Sequence, residues 1–124
     1  MSNLKVLAID DSRTMRNLVR ATLEGAGFDV ETAEDGEVGV ASVSDADPDV
    51  IITDINMPNL DGFGVITAVR QMPQYRSVPI LVLTTESDHS LKVRARDSGA
   101  TGWIVKPFED SKLIAAIRLS LIHI

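Results

Sequence analysis

Five short apolar runs, separated by stretches with helical periodicity, constrain this chain more than any other feature. The runs are Leu4-Lys5-Val6-Leu7-Ala8-Ile9, Phe28 to Ala33, Val50-Ile51-Ile52-Thr53, Val78 to Thr84 and Trp103-Ile104-Val105. Val50 to Thr53 and Val78 to Thr84 are apolar without alternation, as strands covered on both faces are. Phe28 to Ala33 alternates apolar and polar, which suits a half-buried edge strand. After the first run, Asp10-Asp11-Ser12 is a cluster of residues that favour helix caps, and Met15, Leu18, Val19, Thr22, Leu23 and Ala26 recur on one face, with Gly25 and Gly27 marking the end. Val38, Val40, Ala41 and Val43 predict a second helix after the Glu34-Asp35-Gly36 turn. Phe63, Val65, Ile66, Ala68 and Val69 predict a third, stopped by Met72-Pro73 and the polar Gln74-Tyr75-Arg76-Ser77 connection. Ser87 to Ser98 is weakly amphipathic, a fourth helix that is either solvated or partner-facing, and Leu113, Ile114, Ile117, Leu121 and Ile122 line a fifth. Strand and helix alternating five times through short connections specify an α/β fold: a five-stranded parallel, doubly wound sheet in a single domain over residues 1–124.

Several function classes fall away on composition. A net charge of −6 with no basic cluster argues against nucleic-acid binding. The absence of Cys excludes disulfides, thiol chemistry and Cys-ligated zinc. No apolar run approaches the roughly 18 residues of a membrane span, and Met1 to Lys5 carries no signal-peptide pattern, so the expectation is a soluble cytoplasmic protein without membrane insertion. His89 and His123 read as surface residues.

The chemistry lies where the runs end. Asp10 and Asp11 follow the first, Asp54 the third, Thr84 and Thr85 close the fourth, and Lys106 follows the fifth. A parallel sheet puts all of these on its carboxyl rim, the side on which open α/β sheets bind ligands. Three carboxylates gathered there must protonate or bind a cation, and oxygen-only ligands select a hard ion such as Mg²⁺. A carboxylate can also attack a phosphoryl group to form an aspartyl phosphate, provided that a metal, a lysine and a hydroxyl neutralise the phosphoryl oxygens. Taken singly, Asp10 and Asp11 read as helix-cap residues, Asp54 as a turn carboxylate and Lys106 as a solvated lysine. Taken together, those readings require several unrelated accidents on one rim.

On Asp10-Asp11-Ser12-Arg13, Asp54-Ile55-Asn56-Met57-Pro58 with Asp61-Gly62, Thr84-Thr85-Glu86, and Gly99-Ala100 through Lys106-Pro107-Phe108, the sequence resembles the receiver domain of response regulators, most closely its single-domain, chemotaxis-type CheY-like members. The resemblance spans essentially the whole chain and implies a flavodoxin-like strand order of 2-1-3-4-5 without an output domain. It implies that Asp54 accepts a phosphoryl group from the phosphohistidine of a histidine kinase, and that Asp10 and Asp11, with Asp54 and the backbone carbonyl of Asn56, hold Mg²⁺. Lys106 would pair with the phosphoryl oxygens as a point charge, and its bond to Pro107 would be cis. Thr84 would move to the phosphoryl group, leaving space for Trp103, the switch residue, to turn inward; the family usually has Tyr or Phe there. Asn56 and Glu86 hold positions that tune phosphoryl lifetime, and Thr85 stands where the family favours small residues.

The implied role is a two-component phosphoacceptor switch, not a conventional enzyme, that docks a protein such as a flagellar motor switch or drains phosphate from a shared kinase. A phosphatase is a further candidate partner. The rival from the enzyme class is an aspartate-nucleophile phosphohydrolase, which needs a second Asp as general acid two residues after the first, where this chain has Asn56. A flavin carrier needs a neutral phosphate loop after the first strand, and Asp10-Asp11 would repel that phosphate.

Overall fold

A computed structural model describes residues 3–122; His123 lies outside them. The elements in order are β1 (Lys5–Ile9), α1 (Arg13–Gly25), β2 (Asp29–Ala33), α2 (Gly36–Ala46), β3 (Val50–Thr53), α3 (Gly62–Gln71), a 3₁₀ turn (Pro73–Tyr75), β4 (Ile80–Thr84), α4 (His89–Ser98), β5 (Gly102–Val105) and α5 (Asp110–Ile122). All strand pairs are parallel in the order β2-β1-β3-β4-β5, as expected, with the alternating run at one edge. No helix among the described residues is long and apolar enough to cross a membrane.

The two-residue period of the strands builds two cores, one on each face. Leu7, Ile9, Ile51 and Val82 point to the face covered by α2, α3 and α4, where Val43, Phe63, Ile66 and Ala95 meet them. Val6, Ala8, Ile52, Leu81 and Leu83 point to the other face, under Val19 and Leu23 of α1 and Leu113 and Ile117 of α5. Helices α1 to α4 begin at side-chain caps: Ser12 accepts from the Met15 amide, Asp35 from Val38, Asp61 from Gly64 and Asp88 from Ser90.

Helix faces were harder to read than helix positions. Leu18 and Val38 are exposed, not core. Leu18 lies about 120° around α1 from the stripe centred on Val19 and Leu23, at the spacing that 3.6 residues per turn dictates. On α2 the buried face is Gly36, Gly39, Val43 and Ala46. Glycine marks contact there because a methyl at Gly39 would collide with the Ile9 side chain. Ile122 is also exposed, whereas Tyr75, read as part of a polar connection, is buried with its hydroxyl donating to Asp47 at 2.9 Å.

Helix α4 fully buries only Ala95, with Leu91 packed partly against the core, and further contacts tie it to α3. The Arg94 guanidinium sits 3.9 Å from the centre of the Phe63 ring. Arg70 donates to the Gly99 carbonyl from Nε and Nη2 at 3.0 and 2.7 Å, and to the Tyr75 carbonyl from Nη1 at 2.9 Å. Arg70→Met is expected to cost about 2 kcal/mol, since it strands half-buried carbonyls that now take charged donors; urea unfolding measures it, and an unchanged midpoint would show that these bonds contribute nothing net.

Candidate functional site

Each reactive residue hangs one position beyond a strand end and still belongs to the ladder. The Asp10 amide donates to Ala33 O at 3.1 Å, the Asp54 amide to Ile9 O at 3.0 Å and the Lys106 amide to Thr84 O at 2.8 Å. The rim thereby brings together the carboxylates of Asp10, Asp11 and Asp54, whose oxygens lie within 4.8 Å of one another. Lys106 Nζ donates to Asp10 Oδ2 at 2.7 Å and to Asp54 Oδ2 at 2.8 Å. The other oxygen of each carboxylate is also bound: Asp10 Oδ1 accepts from the Ser12 amide at 2.9 Å and Asp54 Oδ1 from the Ile55 amide at 2.6 Å. The Lys106–Pro107 bond is cis.

Burial pushes the Asp10 carboxyl above its ordinary value despite the hydrogen bonds from Lys106 and Ser12, and the Asp54 charge adds to the rise. Burial alone would lower the Lys106 ammonium, but its hydrogen bonds to Asp10 and Asp54, and their charges, outweigh it and raise it. Lys106 is therefore a fixed cation at neutral pH. Asp10 and Asp54 are buried while Asp11 is exposed, so the cluster opens to solvent on the Asp11 side. The donor set fits a hard, partly hydrated cation: every ligand is oxygen, and carboxylate oxygens that accept one bond each keep a further lone pair.

Around this pocket lie the remaining candidates. Thr84 is fully buried and its hydroxyl accepts from the Glu86 amide at 3.3 Å. Asn56 Nδ2 donates to Glu86 Oε1 at 2.8 Å, and Trp103 Nε1 donates to Glu86 O at 3.1 Å. Trp103 is half-buried against the core under α3 and α4, and Thr85 is exposed. Glu86 thus links Thr84, Asn56 and Trp103, none of which hydrogen-bonds the carboxylate cluster among the contacts of the described residues. One residue went unnoticed in the sequence: Arg16 Nη1 donates to the Asp10 carbonyl at 2.8 Å. Its signal was an arginine six positions after Asp10, on the turn of α1 that can reach back.

A lysine bridging two strand-end carboxylates, a third beside them, and this strand order are the features of a receiver module of two-component signalling. Residues 6–118 match the family model for the response regulator receiver domain, and the chain belongs to that family. It is of the CheY-like kind: it is 37% identical to a probable chemotaxis protein CheY of Rhizobium etli, over 93% of this chain and 90% of that one. It is 35% identical to the protein PilG of Pseudomonas aeruginosa, over 93% and 85%. The structure of the chemotaxis protein CheY4 of Vibrio cholerae superposes with a TM-score of 0.93 at 46% identity, covering 97% of this chain and 100% of that one. The chain also matches transcriptional regulators of which it spans about half the length, 45–51%. Receiver domains work with histidine kinases and bind Mg²⁺ at an acidic pocket of this kind.

Proposed function

We propose that the chain is a phosphorylation switch in which Asp54 takes a phosphoryl group from the phosphohistidine of a histidine kinase. The observation that carries this is the Lys106 ammonium held at 2.7 and 2.8 Å between Asp10 and Asp54. Asp10, Asp11, Asp54 and the backbone carbonyl of Asn56 are the residues that would hold Mg²⁺, which when bound neutralises phosphoryl charge. A carboxylate oxygen of Asp54 bonds to phosphorus as the P–N bond to the kinase imidazole breaks, and that nitrogen leaves with the bonding pair. Lys106 keeps a positive charge beside the transferred oxygens. The Thr84 hydroxyl exchanges the Glu86 amide for the phosphoryl group, and Trp103 follows, so that an added charge of about −1.5 to −2 becomes a change on the β5 face that a protein partner reads. Asn56 and Glu86, bonded to each other, border the path by which water would hydrolyse the acyl phosphate.

The chemotaxis proteins among the relatives support chemotaxis as the setting; we place the protein in the cytoplasm with a flagellar motor switch protein as its docking partner, and phosphate drainage from a shared kinase is the second output. Catalysis is limited to phosphoryl transfer onto Asp54 and its loss. Asn56 cannot supply the proton that a phosphohydrolase delivers to its leaving alcohol.

Intact mass after incubation with Mg²⁺ and a small acyl-phosphate donor tests the reading. A gain of one phosphoryl group is expected for the native protein, and none for Asp54→Asn or in the presence of chelator. An equal gain in Asp54→Asn, or none from either the donor or a histidine kinase, would overturn it.

A further inference from the structure

The loop from Ile55 to Asp61 follows the phosphoacceptor and carries the Asn56 carbonyl, yet it has left the sheet and cannot rely on the ladder. Its base is closed by the Gly62 amide donating to Ile55 O at 2.8 Å, and its tip by the Leu60 amide donating to Pro58 O at 2.8 Å. At the tip Asn59 takes a left-handed conformation with φ of 70° and sends Nδ2 to Asp35 Oδ2 at 2.9 Å. Asp35 is 8% exposed, and its other oxygen accepts from the Val38 amide at 2.8 Å as the cap of α2. These hydrogen bonds, Val38 first and Asn59 next, hold the Asp35 carboxyl below its ordinary value, so at neutral pH it is a charged acceptor for Asn59. Beside it, a methyl on Gly36 would collide with the Leu60 carbonyl, so loop and helix end touch backbone to backbone.

We infer that Asp35 and Asn59 are positioning residues of the acidic pocket, a clamp that bolts the Ile55–Asp61 loop to the N-terminus of α2 and thereby fixes the Asn56 carbonyl for Mg²⁺. The inference rests on the reading of the pocket as a Mg²⁺ site. Groups behind a metal's direct ligands typically change affinity by 10–100-fold when removed, and this clamp acts through backbone placement, so the low end applies.

Mg²⁺ titrated calorimetrically into the whole chain, with amide hydrogen exchange on the same samples, is the test. Asn59→Gly keeps the left-handed backbone without strain and deletes only the side chain; it is expected to weaken Mg²⁺ about tenfold and to speed exchange at the Leu60 and Gly62 amides. Asn59→Asp sets carboxylate against carboxylate and should weaken it at least as much. The double variant Asp35→Asn with Asn59→Asp exchanges donor and acceptor while keeping net charge, and is expected to recover most of the lost affinity, which a general loss of stability would not do. If the unsubstituted protein shows no heat of Mg²⁺ binding, the metal reading itself is overturned. If Asn59→Gly binds Mg²⁺ as the unsubstituted protein does, if the double variant binds no tighter than Asn59→Asp, or if exchange speeds equally across the sheet, the clamp alone is overturned.

Discussion

Lys106→Met is expected to lower folding stability by about 3 kcal/mol at pH 7 in metal-free buffer, and Mg²⁺ is expected to restore most of the loss. The lysine bridges two buried carboxylates at 2.7 and 2.8 Å and offsets part of their charge. Without it, Asp10 and Asp54 face each other unpaired, beside Asp11. Removing one partner of a buried ion cluster typically costs about 3–5 kcal/mol, and the opening to water beside Asp11 favours the low end. A divalent cation then meets carboxylates that no ammonium occupies, so the variant should bind Mg²⁺ more tightly than the native chain. At one hundred times its dissociation constant, a ligand of the folded state returns about 2.7 kcal/mol. Urea unfolding of both proteins, in chelator and in Mg²⁺, measures each part. A variant as stable as the native chain in chelator would show that the bridge contributes nothing net, and a gain from Mg²⁺ no larger than the native gain would show that lysine and metal do not compete. Phosphorylation should still fail in the variant, because the charge beside the transferred oxygens is gone.

Gly62→Ala is expected to cost about 2–3 kcal/mol and to abolish phosphorylation of Asp54. A methyl at Gly62 would run into the carbonyl oxygen of Asp54 and the Cα of Ile55. Both are backbone, and neither can swing aside as a side-chain end could. The Gly62 amide is also tied to Ile55 O, so relief requires breaking the loop base or moving the phosphoacceptor. The roughly 1 kcal/mol by which alanine exceeds glycine in helix propensity acts in the opposite direction and is outweighed. Gly25→Ala is the control: nothing lies within 4 Å of a methyl there, so that change should be neutral or mildly stabilising. Urea midpoints and intact mass after acyl-phosphate treatment read both variants; a Gly62→Ala protein with native stability and full phosphorylation would show that the loop yields cheaply.

The features legible in the sequence were those written in a short period. Val50 to Thr53 and Val78 to Thr84 announced central strands because both faces of each are covered, and Asp10, Asp54 and Lys106 were legible because a parallel sheet places every strand end on one rim. What stayed hidden depended on contacts between distant elements. The inner face of α2 could not be found from Val38 and Ala41, because the helix presses on Ile9 through glycines, which hydrophobic periodicity does not register. Tyr75 looked polar in its setting and is buried because Asp47, far away in sequence, takes its hydroxyl. Asn59 and Asp35, 24 residues apart, carried no local signal of their pairing, and Arg16 was one arginine among several on α1.

The attachment of Asp10, Asp54 and Lys106 to the strand ladder has an evolutionary corollary. Groups hung from the sheet keep their spacing when the outer segments drift, whereas the loop after Asp54 needs a brace of its own. Substitutions on the exposed face of α4 therefore leave the spacing of Asp10, Asp54 and Lys106 unchanged. On this reading the outer surface can change from one signalling circuit to the next while the spacing of the rim groups is kept, except where Glu86 ties Trp103 to Thr84 and Asn56.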